Sequence, residues 1–340
     1  MPAGPARSRP AARRQPGDDS PGLIANIAPE FHRVAPVKPQ YPQGTIEFLG
    51  EVNWGGAVIR TPWQLYKTYG DTRTMSLYYD KMVKWLDYEA ANKAANNGDI
   101  PGLGDWSAGD NTTPMQLAIL AGYYTAAHDM AQVAGVLGKK ADQDKYTELA
   151  SNPGRRVHHE VPPRGRQGRV LRQRQRDLEP RWPWTPAWSP RPTGSKVLDR
   201  LVASVRTAGN HINSGSVGLG PLFRALHAGG RDDIIYDMVV NPTSPGYGNL
   251  VTSGQTTLSE SLNGSGSQNH HFLGQVDAWL VHGLAGINRA PDSVAYRELE
   301  IAPAVVGDLT HAHFTRRSPL SREYLAQILL DASGQRQWRK

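Results

Sequence analysis

The stretch TTLSESLNGSGSQNHH, residues 256–271, sets one carboxylate, Glu260, in a run of small polar residues that closes on His270 and His271. So few apolar side chains build no core, and an acid placed there either serves a ligand or faces solvent. Two more loops share this character. NWGGAVIRTPW, residues 53–63, and GLGDWSAGDNTTP, residues 102–114, each hold a Trp among glycines, and the second adds Asp105 directly before Trp106. An indole stacks on the apolar C–H face of a sugar ring while a neighbouring acid accepts its hydroxyl protons. Trp54, Asp105 and Trp106 are therefore candidate carbohydrate contacts, each with a plain structural alternative: a core indole, or a turn or capping acid.

Other chemistries find less support. There is no Cys, which excludes disulfides, thiolate nucleophiles and Cys-ligated metals. The His270 and His271 pair lacks a third ligand at helical or hairpin spacing, so no metal is expected there. A Ser nucleophile would need a G-x-S-x-G elbow, which does not occur. His270 is able to donate to a sugar hydroxyl, and a different reading makes Tyr247 or His270 the proton-abstracting base of a lyase.

The elements that must position these loops read mostly as paired helices. Pro62 opens a short helix that runs to Tyr69 and stops at Gly70. From Thr72 to about Ala95, Met75, Tyr78, Tyr79, Met82, Trp85 and Leu86 recur at intervals of three and four, the mark of one buried stripe. Thr113 caps an Ala-rich helix ending at Gly138, and another helix starts near Ala141. The same pattern of helix, glycine stop and charged turn returns in VLDRLVASVRTAG, VGLGPLFRALHAGGRDDIIYDMVVN and HHFLGQVDAWLVHGLAGI. Repeated helical hairpins predict an all-α toroid, with the long glycine-rich connectors as the place for a site. VAYRELEIAPAV alternates in the manner of a strand, and the alternation fades after residue 310.

The formal net charge of +7 is concentrated at three places. Residues 154–193 carry ten Arg against Glu160, Asp177 and Glu179, and residues 1–22 and 311–340 are also basic, so the periodic remainder is mildly acidic. Residues 154–193 combine Arg, Pro and Trp without hydrophobic period. Either they are a basic interaction loop, with steeply salt-dependent nucleic-acid binding as its consequence, or they are a frame slip in a GC-rich gene, where CGN, CCN and GGN codons read as Arg, Pro and Gly. The balance of the foldable part predicts no nucleic-acid partner. No apolar run reaches the ~18 residues of a membrane span, and residues 1–22 lack the apolar stretch of a secretory signal, so no membrane partner is expected and the default compartment is the cytoplasm. The expected organisation is a basic Pro-rich leader (1–22), a partial toroid (23–290) interrupted by 154–193, the first strand of a β-sandwich (291–310) and an irregular basic tail (311–340).

NWGGAVIRTPWQLYKTYGDT, GLGDWSAGDNTTP and TTLSESLNGSGSQNHHFLGQVDAWL followed by GLAGI together resemble the bacterial α-L-rhamnosidases of glycoside hydrolase family 78. The resemblance covers roughly residues 23–150 and 195–310. It implies an incomplete (α/α)6 barrel, the start of a C-terminal β-sandwich, and an inverting hydrolase that releases terminal α-L-rhamnose from glycosides or polysaccharides. Carried over by position, Glu260 resembles the family's general base, Trp54 and Trp106 the aromatic walls of the sugar subsite, Asp105 a hydroxyl-binding acid and His270 an imidazole on the sugar. Two carboxylates and a water suffice for the reaction that the resemblance implies, so it implies neither a metal nor an organic cofactor. The family's general-acid block, expected upstream of LIANIAP, has no counterpart, and Gly56 stands where Asp is common. A non-catalytic carbohydrate-binding remnant is the alternative reading. The oligomeric state is left open.

Overall fold

The computed structural model describes residues 22, 24, 51–110, 112–151, 192–317, 323–330 and 336–339. The basic leader and the Arg/Pro-rich segment fall outside these residues, apart from Gly22 and the start of the helix at Pro192. The described part is a partial (α/α)6 barrel followed by small antiparallel sheets.

Its first half is built from α1 (Val52–Gly55), α2 (Ala57–Tyr69), α3 (Arg73–Leu77), α4 (Tyr79–Ala95), α5 (Met115–Val136) and α6 (Lys140–Ser151). The expected stripe is present, with Met75, Met82 and Trp85 fully buried and Tyr79 and Leu86 nearly so. Tyr78, counted into that stripe, is instead 48 % exposed, because it lies at the break between α3 and α4 and turns outward there. Pro62 does not open a helix: α2 begins five residues earlier and carries Pro62 inside it. The short turn of α1 delivers the chain directly into α2, so tertiary packing of a buried Pro62 overrides the missing N–H. Gly70 ends α2 in the left-handed region, φ 72°, as the stop signal requires. α5 starts one residue later than Thr113 suggests, since Pro114 is extended, ψ 129°, and itself takes the capping position. Twelve of its side chains or glycines are buried, in line with an Ala-rich helix apolar nearly all round.

The second half contains α7 (Pro192–Thr207), α8 (Leu219–Ala228), α9 (Asp232–Val240) and α10 (Tyr247–Thr252). HHFLGQVDAWLVHGL forms one interrupted helix: a 3₁₀ turn over His271–Gly274, α11 (Gln275–Trp279) and a π turn over Leu280–Leu284. Each half has its own apolar core. One gathers Val52, Ile59, Trp85, Ile119 and Met130, and the other Leu219, Phe223, Ile234, Met238, Leu273 and Trp279. In the second, the Asp232 carboxylate accepts from the Trp279 indole N–H at 2.8 Å and lies 2.9 Å from His227 Nδ1, tying α8, α9 and α11 together.

Beyond the helices, β1 (Ile287–Arg289) pairs antiparallel with β2 (Leu299–Ile301), the second lying within the alternating stretch. Residues 311–340, expected to be irregular, instead supply a three-stranded antiparallel sheet in the order β3 (His311–Arg317), β4 (Glu323–Leu330), β5 (Arg336–Arg339). In β4 the sequence EYLAQILL is rich in aromatic and branched residues, a strand composition that the basic charge around it obscured.

One buried acid makes the first half pH-sensitive. Glu89 on α4 is fully buried, its Oε1 has no hydrogen-bond partner, and burial, reinforced by Glu51, pushes its pKa up to about 8. The unfolded chain ionises Glu89 near the ordinary value of 4.5, so the fold binds the extra proton between those limits. Its contribution to stability is therefore full below about pH 4.5 and is lost as pH rises towards 8. Glu89→Gln should match the unmodified protein in urea unfolding at about pH 4.5 and exceed it by roughly 1–3 kcal/mol at about pH 9; a difference independent of pH would contradict the assignment.

Candidate active site

Glu260 sits on a narrow hairpin anchored to the second core by Leu258 and Leu262 and otherwise held by its own backbone. His270 N–H donates to Leu258 O at 2.7 Å, Ser259 and Gln268 form an antiparallel bridge, and Glu260 N–H donates to Ser267 O at 2.8 Å. At the tip, the Asn263 side chain accepts from Ser265 N–H and Oγ–H at 2.9 and 2.6 Å. Gly266 crosses behind the acid at φ +85°, and a Cβ there would come within 2.7 Å of Glu260 Cβ, so both conformation and space demand glycine. The polar composition that marks this segment as a loop thus serves a pinned loop, rigid at its acid.

The carboxylate of Glu260 is held at both oxygens. Oε1 accepts from Trp106 Nε1–H at 2.9 Å, and Oε2 accepts from Ser267 Oγ–H at 3.0 Å and from Ser267 N–H at 3.3 Å. Ser267 Oγ lies also 2.9 Å from His270 Nδ1. These contacts hold the Glu260 pKa below the usual carboxylate value: the indole N–H contributes most, Ser267 and the nearby His270 add to it, and partial burial opposes them. At neutral pH the group is an acceptor of protons, suited to a general base and unsuited to a general acid.

Trp106 reaches across from the first half of the fold, on the loop between α4 and α5, and Asp105 fixes that loop. The Asp105 carboxylate turns to the second half and accepts three backbone N–H groups, from Gly215 at Oδ2 and from Val217 and Gly218 at Oδ1, all at 2.9 Å. Gly218 is the N-cap of α8, so the acid also compensates the unpaired donors of a helix start. Ser216 N–H donates to Trp106 O at 2.8 Å and Gly109 N–H to Asn213 O at 2.8 Å, completing the seam. A Cβ at Gly215 would meet Trp106 O at 2.2 Å, which is why the two backbones approach so closely. Asp105, read from the sequence as a hydroxyl-binding acid, thus spends its carboxylate on the protein's own amides.

Two residues before Asp105, at Leu103, this loop is also tied to the first half by a residue that sequence reasoning passed over. Glu51, nearly fully buried, caps α1 by accepting from Asn53 N–H at 2.6 Å and Trp54 N–H at 3.0 Å, and it reaches Leu103 N–H at 3.4 Å. Burial raises its pKa against those backbone donors. Its signal was available: an acid directly before a helical turn is a capping pattern. Ser267 was missed because a Ser in a Ser-rich loop carries no periodicity.

Of the expected site residues, Glu260, Trp106, Asp105 and His270 are joined in one network. Trp54 is half-buried on α1 and enters through the Glu51 cap; among the described residues, no hydrogen bond or ring contact links its indole to Glu260. His271 is exposed and stacks on His270, ring centroids 5.8 Å apart and planes 2° from parallel. Tyr247 is not a free base: its buried hydroxyl donates to Leu273 O at 2.5 Å, and burial together with the Asp277 charge raises its pKa. Among the described residues, no group of three or more His, Asp or Glu could hold a metal, and no helix is long and apolar enough to cross a membrane.

Paired helices closing around a glycine-rich loop face, with a carboxylate held under an indole there, define the class as a six-hairpin glycosidase fold. The bacterial α-L-rhamnosidase six-hairpin glycosidase domain model matches residues 22–284, and the chain belongs to that family. An α-L-rhamnosidase of Streptomyces avermitilis is 28 % identical over 279 residues, 78 % of this chain and 26 % of that protein. One from Formosa agariphila is 26 % identical over 309 residues, 82 % of this chain and 33 % of that protein. The chain spans about a quarter to a third of the length of these relatives. Among solved structures, the S. avermitilis α-L-rhamnosidase complexed with L-rhamnose has a TM-score of 0.72 at 24 % identity, covering 92 % of this chain and 29 % of its own. The enzyme of Dictyoglomus thermophilum has a TM-score of 0.64 at 22 % identity, covering 82 % and 32 %. At these identities the structural likeness establishes the fold.

Two measurements check the seam. Asp105→Ala leaves three N–H donors without an acceptor and should lower unfolding free energy by about 2–4 kcal/mol in urea titration; a loss under about 0.5 kcal/mol would mean that the carboxylate clamps nothing. Trp106→Phe keeps an aromatic, though smaller, ring and removes the N–H, so the Glu260 carboxyl, followed by carbon NMR, should titrate at higher pH than in the unmodified protein. An unmoved or lowered midpoint would remove the indole as the main cause.

Proposed function

We propose that this chain carries the general-base side of an inverting α-L-rhamnoside hydrolase, acting on rhamnosylated glycosides or polysaccharides. The observation that carries the reading is the Glu260 carboxylate held ionised by Trp106 Nε1–H at 2.9 Å and by Ser267. An inverting glycosidase needs such a base to take a proton from the water that attacks the anomeric carbon, on the ring face opposite the leaving group. Trp106 then has two tasks, an N–H that keeps the base charged and an apolar face for the sugar. Trp54 supplies a second face and His270 a polar contact. Family membership and the names of the relatives support the rhamnoside as substrate class. Asp105 is engaged by backbone donors, so the proton for the leaving oxygen comes from a group outside this cluster.

The test is hydrolysis of rhamnosides with good and poor leaving groups, with the configuration of the first-formed rhamnose read by proton NMR. Expected are inverted product, better retained turnover on aryl rhamnosides than on alkyl ones, and loss of about 10²- to 10⁴-fold in Glu260→Gln. Activity should fall on the acid side with the Glu260 pKa, below the ordinary Glu value, and that limb should move up in Trp106→Phe. Retained configuration, or full activity in Glu260→Gln, would overturn the reading. Binding of free rhamnose with no hydrolysis by either form would favour a carbohydrate-binding role.

A further inference from the structure

We infer that Ser267 is a positioning residue that couples the charge of Glu260 to the tautomer of His270, so that His270 presents Nε2 to a ligand as a hydrogen-bond acceptor. The argument is a count of protons. Ser267 Oγ stands 3.0 Å from Glu260 Oε2 and 2.9 Å from His270 Nδ1, and a hydroxyl has one proton to give. An ionised carboxylate can only accept, so the Ser267 proton goes to Glu260. The Ser267 oxygen is then left to accept, and the partner at 2.9 Å must supply the hydrogen, which fixes Nδ1–H on His270. In the neutral ring the other nitrogen, Nε2, carries a lone pair, and no described hydrogen bond uses it. The ring itself is held by His271 stacked on one side and Phe272 edge-on at 5.3 Å, with its backbone pinned to Leu258, so the tautomer is imposed on a fixed imidazole.

This deepens the rhamnoside reading and rests on it for the ligand: His270 accepts a hydrogen bond from a sugar hydroxyl instead of donating one, while Glu260 waits ionised. It also predicts the response to a change at Glu260. In Glu260→Gln one amide oxygen replaces two carboxylate oxygens, and the shorter bond from Trp106 Nε1–H, 2.9 Å against 3.3 Å from Ser267 N–H, keeps that oxygen at the Oε1 position, which turns the new amide N–H₂ towards Ser267. Ser267 Oγ must then accept from the amide and turn its own O–H, as a hydrogen-bond donor, to His270 Nδ1; that nitrogen can accept only when unprotonated, so the ring gives up its Nδ1 proton to water and takes one from water at Nε2, the Nε2–H form.

The experiment is nitrogen-15 NMR of the full, uniformly labelled chain without sugar, at mildly alkaline pH, with the His270 ring assigned by its disappearance in His270→Asn. The ring shifts should report Nδ1–H in the unmodified protein and in Ser267→Thr, which keeps the hydroxyl. They should report Nε2–H in Glu260→Gln, and loss of the Nδ1–H preference in Ser267→Ala. An Nε2–H ring in the unmodified protein, or an unchanged tautomer in either Glu260→Gln or Ser267→Ala, overturns the inference. Since no sugar is present, the outcome is separate from the hydrolysis assay: an inactive chain with the predicted tautomers counts against the proposed function and leaves the coupling standing.

Discussion

The site depends on one cross-connection, the Asp105 carboxylate set against three backbone N–H groups of the segment before α8. Two apolar cores lie on either side of it, and burial alone does not specify how their loops meet. Hydrophobic attraction has no direction, whereas an anion at 2.9 Å from three amides fixes register to a fraction of an ångström. Trp106 follows Asp105 in the chain, so fixing the acid places the indole over Glu260. Substituting the acid would therefore act on the site at a distance, through the loop it holds.

Three glutamates show how far environment decides the use of one side chain. Glu260, on a partly exposed loop, is surrounded by donors from Trp106 and Ser267 and stays ionised more readily than usual. Glu51 also faces donors, at the N-terminus of α1, but burial outweighs them and its pKa rises. Glu89 has one long contact from Asn92, at 3.4 Å, and burial, reinforced by Glu51, outweighs it. The balance between desolvation and hydrogen bonding, read residue by residue, separates a carboxylate that stays charged from two whose charge burial opposes.

Much of the fold was legible because helices that bury one face repeat at three and four residues. Met75 announced α3, Met82, Trp85 and Leu86 announced α4, and Gly70 and Gly138 announced stops that the structure places at φ 72° and 71°. The failures are local contests that tertiary packing won. Pro62 reads as a helix start, yet it lies inside α2. HHFLGQVDAWLVHGL reads as one helix, yet it passes from 3₁₀ to α to π geometry within fourteen residues, His271–Leu284. The strands after residue 310 were hidden by the basic residues interspersed among their apolar ones.

The sequence by itself determined the class of the fold and the residue types at the site, because periodicity, glycine stops and the placing of Trp and acids in polar loops are properties of a linear chain. Only the tertiary structure decided the roles. Asp105 and Glu260 are both carboxylates in glycine-rich loops, and nothing in their neighbours along the chain says that one faces backbone amides 110 to 113 residues away while the other faces an indole 154 residues away. Charge and proton position are set by what lies within about 3 Å in space. Such partners come from parts of the chain that only folding brings together.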